Sequence, residues 1–255
     1  MNRRILVYLC WLPLAAWPSA QGPSPARAWR ESGAAFYEEL LLTAEVIDAA
    51  PVGKGGLKPA RVYLRRGDQR VEAVFKSILP ARRQGFWESH QAEVAAYELD
   101  KLLGLGMVPP TVVRQIEGKT GSLQLWVDGC REWKESAQEP QAVEQNPSIS
   151  RMKTFDNLIG NWDRQGNILI DPNQNLILID HSRAFIPDKE LSKSLPVQFD
   201  RNLVARIRAL DRQQLARALR GMSAEQIEGL LARRELLLAH LDRLIKEKGE
   251  AAVFF

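Results

Sequence analysis

The sequence predicts an α+β protein built in two unequal parts. Segments with strand character gather before residue 130, segments with helical spacing dominate after residue 150, and a polar, proline-containing stretch separates them. The order is strands with a single helix, then helices around one small hairpin. A chain of 255 residues is long enough for a real core in one large domain or two small lobes.

Taken in order, residues 1–20 read "MNRRILVYLCWLPLAAWPSA". Arg3 and Arg4 make a basic start, Ile5 to Trp17 an apolar run, and Pro18-Ser19-Ala20 a small-residue cleavage site, the three parts of a signal peptide. The apolar run is shorter than the ~20 residues that span a bilayer, so an exported chain with no transmembrane span in its mature form is expected. Residues 21–40 read as a lead-in. "LLTAEVID" (41–48), "ARVYLRR" (60–66) and "RVEAVFKSI" (70–78) have strand character, and Gly67-Asp68 signals a tight turn.

"ESHQAEVAAYELDKLLGLG" (88–106) is the clearest helix. Ala92, Ala95, Ala96, Leu99 and Leu103 keep helical spacing, and Gly104 and Gly106 end it. Val108-Pro109-Pro110 forces extended chain, and strands follow near 111–117 and 121–129. These elements define a first lobe over 41–130, a linker over 131–149 and a helical second lobe over 150–255. The second lobe holds a helix from 150, strands at 167–171 and 176–180, and helices at 199–210, 212–220 and 223–247. A capping box at Ser223–Gln226 opens the last of these.

Composition narrows the function. The net charge of +4 falls when the leader goes, because 35 basic residues lose Arg3 and Arg4 and become 33 against 31 acidic. That balance gives no electrostatic case for nucleic acid. Cys130 is left alone once Cys10 leaves with the leader, so the fold must rest on its core rather than on an intrachain disulfide. His90, His181 and His240 lie far apart, and no Cys/His spacing suggests structural zinc.

The chemistry lies in the order of a few residues. Gly53, Gly55 and Gly56 fall between two strands, where a turn without side chains lets backbone N–H groups approach phosphate oxygens; such glycines are also ordinary turn residues. Lys76 ends the apolar strand "AVFK", and a buried lysine there needs a partner. Glu93, inside the 88–106 helix, stands where it can align that lysine on nucleotide phosphates. In "GNWDRQGNILIDPNQNLILIDHSRAF" (160–185), Asp163 suits the orientation of an attacking hydroxyl. Asn167 and Asp180 supply hard oxygens for Mg²⁺ shared with phosphate. Taken alone, that stretch equally suits a polar hairpin.

At these residues the chain resembles a known family. "AVFKSI" with "FWESHQAEVAAYELDKLLGLGMVPPTVVR", "GNWD-R" and "LIDHSRAF" look like the secretory-pathway kinases, the Golgi casein kinase and glycan xylosylkinase family. "GSLQLWVDG" looks more like the hinge of the type II phosphatidylinositol 4-kinases, which share the wider fold with HipA-type kinases. The resemblance covers roughly residues 41–190 and is most specific over 85–114.

The resemblance implies a bilobal kinase-like fold and an ATP-dependent phosphotransferase using Mg²⁺ or Mn²⁺. Lys76 and Glu93 match the phosphate-gripping pair, Asp163 the catalytic aspartate and Asp180 the metal aspartate. Gly53, Gly55 and Gly56 match the phosphate-covering turn, and Leu125, Trp126 and Val127 the adenine-contacting hinge. The acceptor would be a hydroxyl of a protein, a glycan or a lipid headgroup. One departure concerns Asn167: three residues, Arg164, Gln165 and Gly166, separate it from Asp163, where relatives have four. That shortening keeps open a nucleotide-binding pseudokinase in the cell envelope. A lipid kinase stays open beside it, as does a non-catalytic envelope protein whose hairpin is structural. Arg164 and Arg183 are read either as contacts to acceptor phosphate or as partners of local acids. His181 is read as orienting Asp180 or as a surface residue, Trp126 and Trp162 as packing residues, and Arg82-Arg83 as a solvated loop.

Overall fold

The computed structural model describes residues 29–30, 33–52, 59–83, 85–134 and 145–255. The signal peptide and the Gly53–Gly56 turn expected from the sequence lie outside the described residues. Helix α1 (Ala34–Thr43) precedes strands β1 (Glu45–Pro51), β2 (Ala60–Arg66) and β3 (Gln69–Lys76). A short hairpin, β4 (Ala81–Arg83) and β5 (Phe86–Glu88), leads into helix α2 (His90–Leu103). Strands β6 (Thr111–Ile116) and β7 (Lys119–Leu125) complete an antiparallel sheet in the order β1-β2-β3-β7-β6.

The second part carries β8 (Arg131–Glu132), α3 (Pro147–Ile159), β9 (Ile168–Ile170) and β10 (Leu176–Leu178). Helices α4 (Arg201–Ala209), α5 (Arg212–Ala218), α6 (Ala224–Lys248) and α7 (Glu250–Val253) follow. β9 pairs with β10 on one side and β8 on the other. The expected capping box is present: Ser223 Oγ accepts from Gln226 N, and Gln226 Oε1 accepts from Ser223 N at 2.9 Å. Among the described residues no helix is long and apolar enough to cross a membrane.

Strand alternation gives the five-stranded sheet two different faces. Val62, Leu64, Val71, Ala73, Phe75, Val112 and Leu123 are buried together with Leu40 and Leu41 of α1. Glu72, Val74 and Lys76 of β3, which alternate with these, lie on the opposite face. Two expectations are corrected here. The lead-in over 21–40 contains ordered, packed chain, and "LLLT" ends a helix instead of opening a strand. A short apolar run does not distinguish helix from strand by pattern alone. Burial of Leu40 and Leu41 against the sheet decides it, with Arg114 donating to the carbonyls of Leu41, at 2.7 Å, and Ala44 just past the helix end.

Arg82 and Arg83 belong to the β4–β5 hairpin, not to a loop. α3 begins at Pro147, capped by Asn146 Oδ1 accepting from Ser148 N at 2.9 Å, so the linker ends earlier than expected. The apolar stripe of α2 faces the second core, where Ala92, Ala96, Leu99 and Leu103 meet Phe155, Leu158, Ile168 and Leu178. α2 thus belongs to the core of the helical part while its first turn reaches the sheet.

Candidate active site

Lys76 ends β3 on the face turned from α1, and three features aim Glu93 at it. Ser89 caps α2, its Oγ accepting from Gln91 N at 3.0 Å, which leaves Glu93 in the first helical turn. His90 donates its backbone N–H to Ile78 O at 2.8 Å, with its Nδ1 2.7 Å from the same oxygen. Gly121 lets β7 close onto the end of β3, since a Cβ there would stand 2.5 Å from the Lys76 carbonyl oxygen. The outcome is a salt bridge of 2.6 Å from Lys76 Nζ to Glu93 Oε1. Lys76 Nζ also reaches Asp180 Oδ1 at 2.8 Å. Burial alone would favour losing the Lys76 proton, but the two carboxylates outweigh it and hold the ammonium above its ordinary range. The same ammonium holds the Asp180 carboxyl down to about 2, against the effect of burial.

Asp180 leaves β10 in the left-handed region, φ 56°, a conformation that aspartate tolerates better than most side chains. The turn carries the His181 N–H onto Glu93 Oε2 at 2.9 Å. One buried carboxylate, Glu93 at 1% exposure, therefore ties the strand lysine to the segment after β10. His181 is not a surface residue: its ring is wholly buried, neither ring nitrogen has a hydrogen-bond partner among the described residues, and burial holds it neutral.

Asp163 sits on the loop after α3, which ends at Gly160 with φ 63°. A Cβ at Gly160 would meet the Arg233 guanidinium carbon at 2.9 Å. Arg164 turns inward and grips Asp156 through two 2.8 Å bonds, and its Nη1 donates to Asn167 O and Ile179 O at 2.9 and 3.0 Å. It is a strut of this loop, which settles its two readings in favour of the local acid. The three-residue spacing closes as a tight turn: Asn167 N donates to Arg164 O at 3.0 Å, and Asn167 Nδ2 to Asp163 O at 2.8 Å. Ile179 N donates to Asn167 O at 3.2 Å, so Asn167 lies beside the strand end that carries Asp180.

Asp163 Oδ2 accepts from Arg183 Nη1 at 2.9 Å, and Arg183 Nε donates to Glu88 Oε1 at 2.8 Å. Four carboxylates thus surround two cations. Lys76 lies between Glu93 and Asp180, and Arg183 between Glu88 and Asp163. That surplus of negative charge, with the amide oxygen of Asn167, suits a divalent cation shared with phosphate oxygens. Among the described residues no cluster of three or more His, Cys, Asp or Glu side chains forms a metal site by itself.

The fold as a whole is similar to two solved structures. Hydra Fam20 with sugar aligns with 85% of this chain and 90% of its own, at 18% identity and a TM-score of 0.64. The Golgi casein kinase with Mn/ADP bound aligns with 87% of this chain and 78% of its own, at 14% identity and a TM-score of 0.63. The chain shares the fold of hydra Fam20 and the Golgi casein kinase. No family model matches the sequence, and no curated protein matches it.

The other expected residues fall in different surroundings. Leu125 and Val127 are buried in the core under α1, away from the sheet face that carries Lys76. The N–H groups of Leu125 and Trp126 are committed to Pro110 O and Glu72 O at 2.8 and 2.9 Å. The Trp126 indole lies under the Arg61 guanidinium, 4.1 Å from the ring centroid, and donates to Asp128 Oδ1 at 2.8 Å. Asp171 closes the β9–β10 hairpin, its Oδ1 accepting from Asn173 N and Asn175 N at 2.9 and 2.8 Å. A cavity of about 900 Å³ flanks the Asp163 loop, with Trp162, Gln165, Lys153 and Lys193 on its walls. Sequence reasoning did not assign Glu88 to the site. It occupies no periodic position, and its partner Arg183 is 95 residues away.

Proposed function

We propose that the chain is an ATP-dependent phosphotransferase that moves the γ-phosphoryl group to a hydroxyl. The observation that carries this reading is the double grip on Lys76 by Glu93 and Asp180, next to a loop that presents Asp163. In phosphoryl transfer the protein's work is mainly positioning and charge neutralisation. Lys76, held by Glu93, would fix the nucleotide phosphates. Asp163 would orient the acceptor hydroxyl and take its proton as the acceptor oxygen bonds to the γ-phosphorus and the β–γ bridging oxygen leaves with the diphosphate. Asp180 and Asn167 would hold Mg²⁺ or Mn²⁺, which when bound neutralises the phosphate charge. The shortened loop is compatible with this work, because its closure leaves Asn167 Oδ1 available while Nδ2 is spent on Asp163 O.

The residues that read as a signal peptide support a chain working after export. Protein, glycan and lipid-headgroup hydroxyls all remain acceptors of the proposed reaction, because acceptor choice belongs to loops outside the shared motif. The test is incubation with γ-labelled ATP and Mg²⁺ or Mn²⁺ across those three acceptor classes. Asp180→Ala should abolish transfer in a folded chain; equal transfer by that variant would overturn the assignment. Metal-dependent stabilisation by ATP without transfer to any acceptor or to water would replace it with a nucleotide-binding scaffold.

A further inference from the structure

We propose that Arg183 is a positioning residue that sets the Asp163 carboxylate and couples its placement to the start of α2 through Glu88. The proposal rests on the phosphotransferase reading above and assigns that reaction a residue outside the lysine–glutamate–aspartate set.

One guanidinium joins three separate elements. Its Nη1 donates to Asp163 on the loop after α3, at 2.9 Å, and its Nε to Glu88 at the end of β5, at 2.8 Å. Its plane stands over the Phe86 ring, 4.6 Å from the centroid. The guanidinium offers donors on more than one edge of a rigid plane, so one residue can fix two carboxylates at a set angle.

The backbone around Arg183 is pinned on both sides, which separates this pair from an ordinary surface ion pair worth little. Ser89 N donates to Ser182 O at 2.9 Å, Ala184 N to His181 O at 2.9 Å, and Phe185 N to Ile159 O at 2.7 Å. Asp180 and Phe185 bracket the segment in the left-handed region, at φ 56° and 58°, and Ala184 and Phe185 are buried. Asp163 itself is about half exposed, its side chain at 48%, and in solvent a bare aspartate would sample several rotamers. The guanidinium selects one of them. Glu88 is buried and directly precedes Ser89, the cap of α2. A shift of α2 that disturbs Glu93 therefore also disturbs Glu88, Arg183 and Asp163. The acceptor-orienting carboxylate is thereby tied to the same helix that aligns Lys76.

The test uses the full chain with γ-labelled ATP and reads kcat, the KM for ATP and thermal stability for Arg183→Met, Arg183→Lys, Glu88→Gln and the Arg183→Met/Glu88→Gln pair. A misplaced orienting group costs on the order of 10²-fold, so R183M should lose about 10²-fold in kcat with the KM for ATP within about threefold. R183K, which keeps the charge but not the fork, should recover at most about tenfold of that loss. The double variant should be no slower than R183M alone, because the two residues act through one link. In R183A, free guanidinium should restore part of kcat, while an ammonium salt of equal ionic strength should not.

Unchanged kcat in R183M, multiplying losses in the double variant, or a loss that tracks melting temperature would overturn the proposal. Should R183M fail to fold, R183K and guanidinium rescue decide it by the same criteria. Absence of transfer by the wild-type chain to any acceptor or to water would instead overturn the phosphotransferase reading, and this proposal with it.

Discussion

Replacing Glu93 by glutamine keeps the shape of a buried side chain and removes its charge. One Glu93 oxygen accepts from the Lys76 ammonium at 2.6 Å and the other from the His181 N–H at 2.9 Å. A glutamine has one acceptor oxygen and one donor nitrogen, so in either orientation its NH₂ faces a donor. Loss of the charge-assisted bond costs about 1.5–3 kcal/mol and a donor left unsatisfied about 1–3 kcal/mol. Lys76 retains Asp180 at 2.8 Å, which keeps the sum near its lower end, about 3 kcal/mol. At roughly 2–4 °C per kcal/mol for a chain of this size, E93Q should melt about 6–12 °C below the wild type.

Lys76→Met tests the same pair from the other side. Glu93 then keeps its burial without its cation, and burial favours the neutral carboxyl. In the wild type burial already raises its pKa above the unfolded value of about 4.5 against the Lys76 ammonium, and without that cation it rises further. The unfolded chain then releases its proton first, so K76M loses stability as pH rises from about 4.5 until the buried group ionises. The double variant K76M/E93Q removes both charges of the pair and should be more stable than the two single costs predict. Calorimetry of the four proteins between pH 5 and 8 checks all of this. E93Q melting within about 2 °C of wild type, or strictly additive costs, would refute the coupling argument.

Two further outcomes follow from the same cluster. Gly121→Ala places a Cβ 2.5 Å from the Lys76 carbonyl and 2.8 Å from the Phe75 ring, so it should cost about 1–3 kcal/mol, read as a lowered urea midpoint. The Asp180 carboxyl is held at about 2 by the Lys76 ammonium, below its usual 3.8. It stabilises the native state above pH ~4 and ceases to do so as pH falls toward 2. Urea midpoints between pH 5 and 2 should fall for the wild type and flatten in Asp180→Asn; parallel curves would show that the pair contributes nothing.

Much of the fold was legible because long periodic segments announce themselves. The stripe of α2, the Gly67-Asp68 turn and the Ser223 capping box all appear where the pattern places them. α1 escaped because "LLLT" is too short to show a period, and the β4–β5 hairpin because three-residue strands show none. Lys76, Glu93, Asp163 and Asp180 were named by their order along the chain; in the structure Lys76 bonds both Glu93 and Asp180, and the loop of Asp163 and Asn167 pairs with the strand end that precedes Asp180. His181 and Glu88 were not legible, since a side chain's burial and its partners in distant elements leave no local trace.

The sequence by itself determined which residue types stand in which order: a lysine closing an apolar strand, a glutamate in the first turn of a capped helix, and aspartates ending a loop and a strand. Local propensity and periodicity suffice for that, because they act within a few residues. Only the tertiary structure decided that Glu93 holds Lys76 and His181 at once, that Arg164 is an internal strut, and that Arg183 joins Glu88 to Asp163. Those outcomes depend on how α2 docks between the sheet and the helical core, a question of long-range burial and charge pairing that no short window of the chain records.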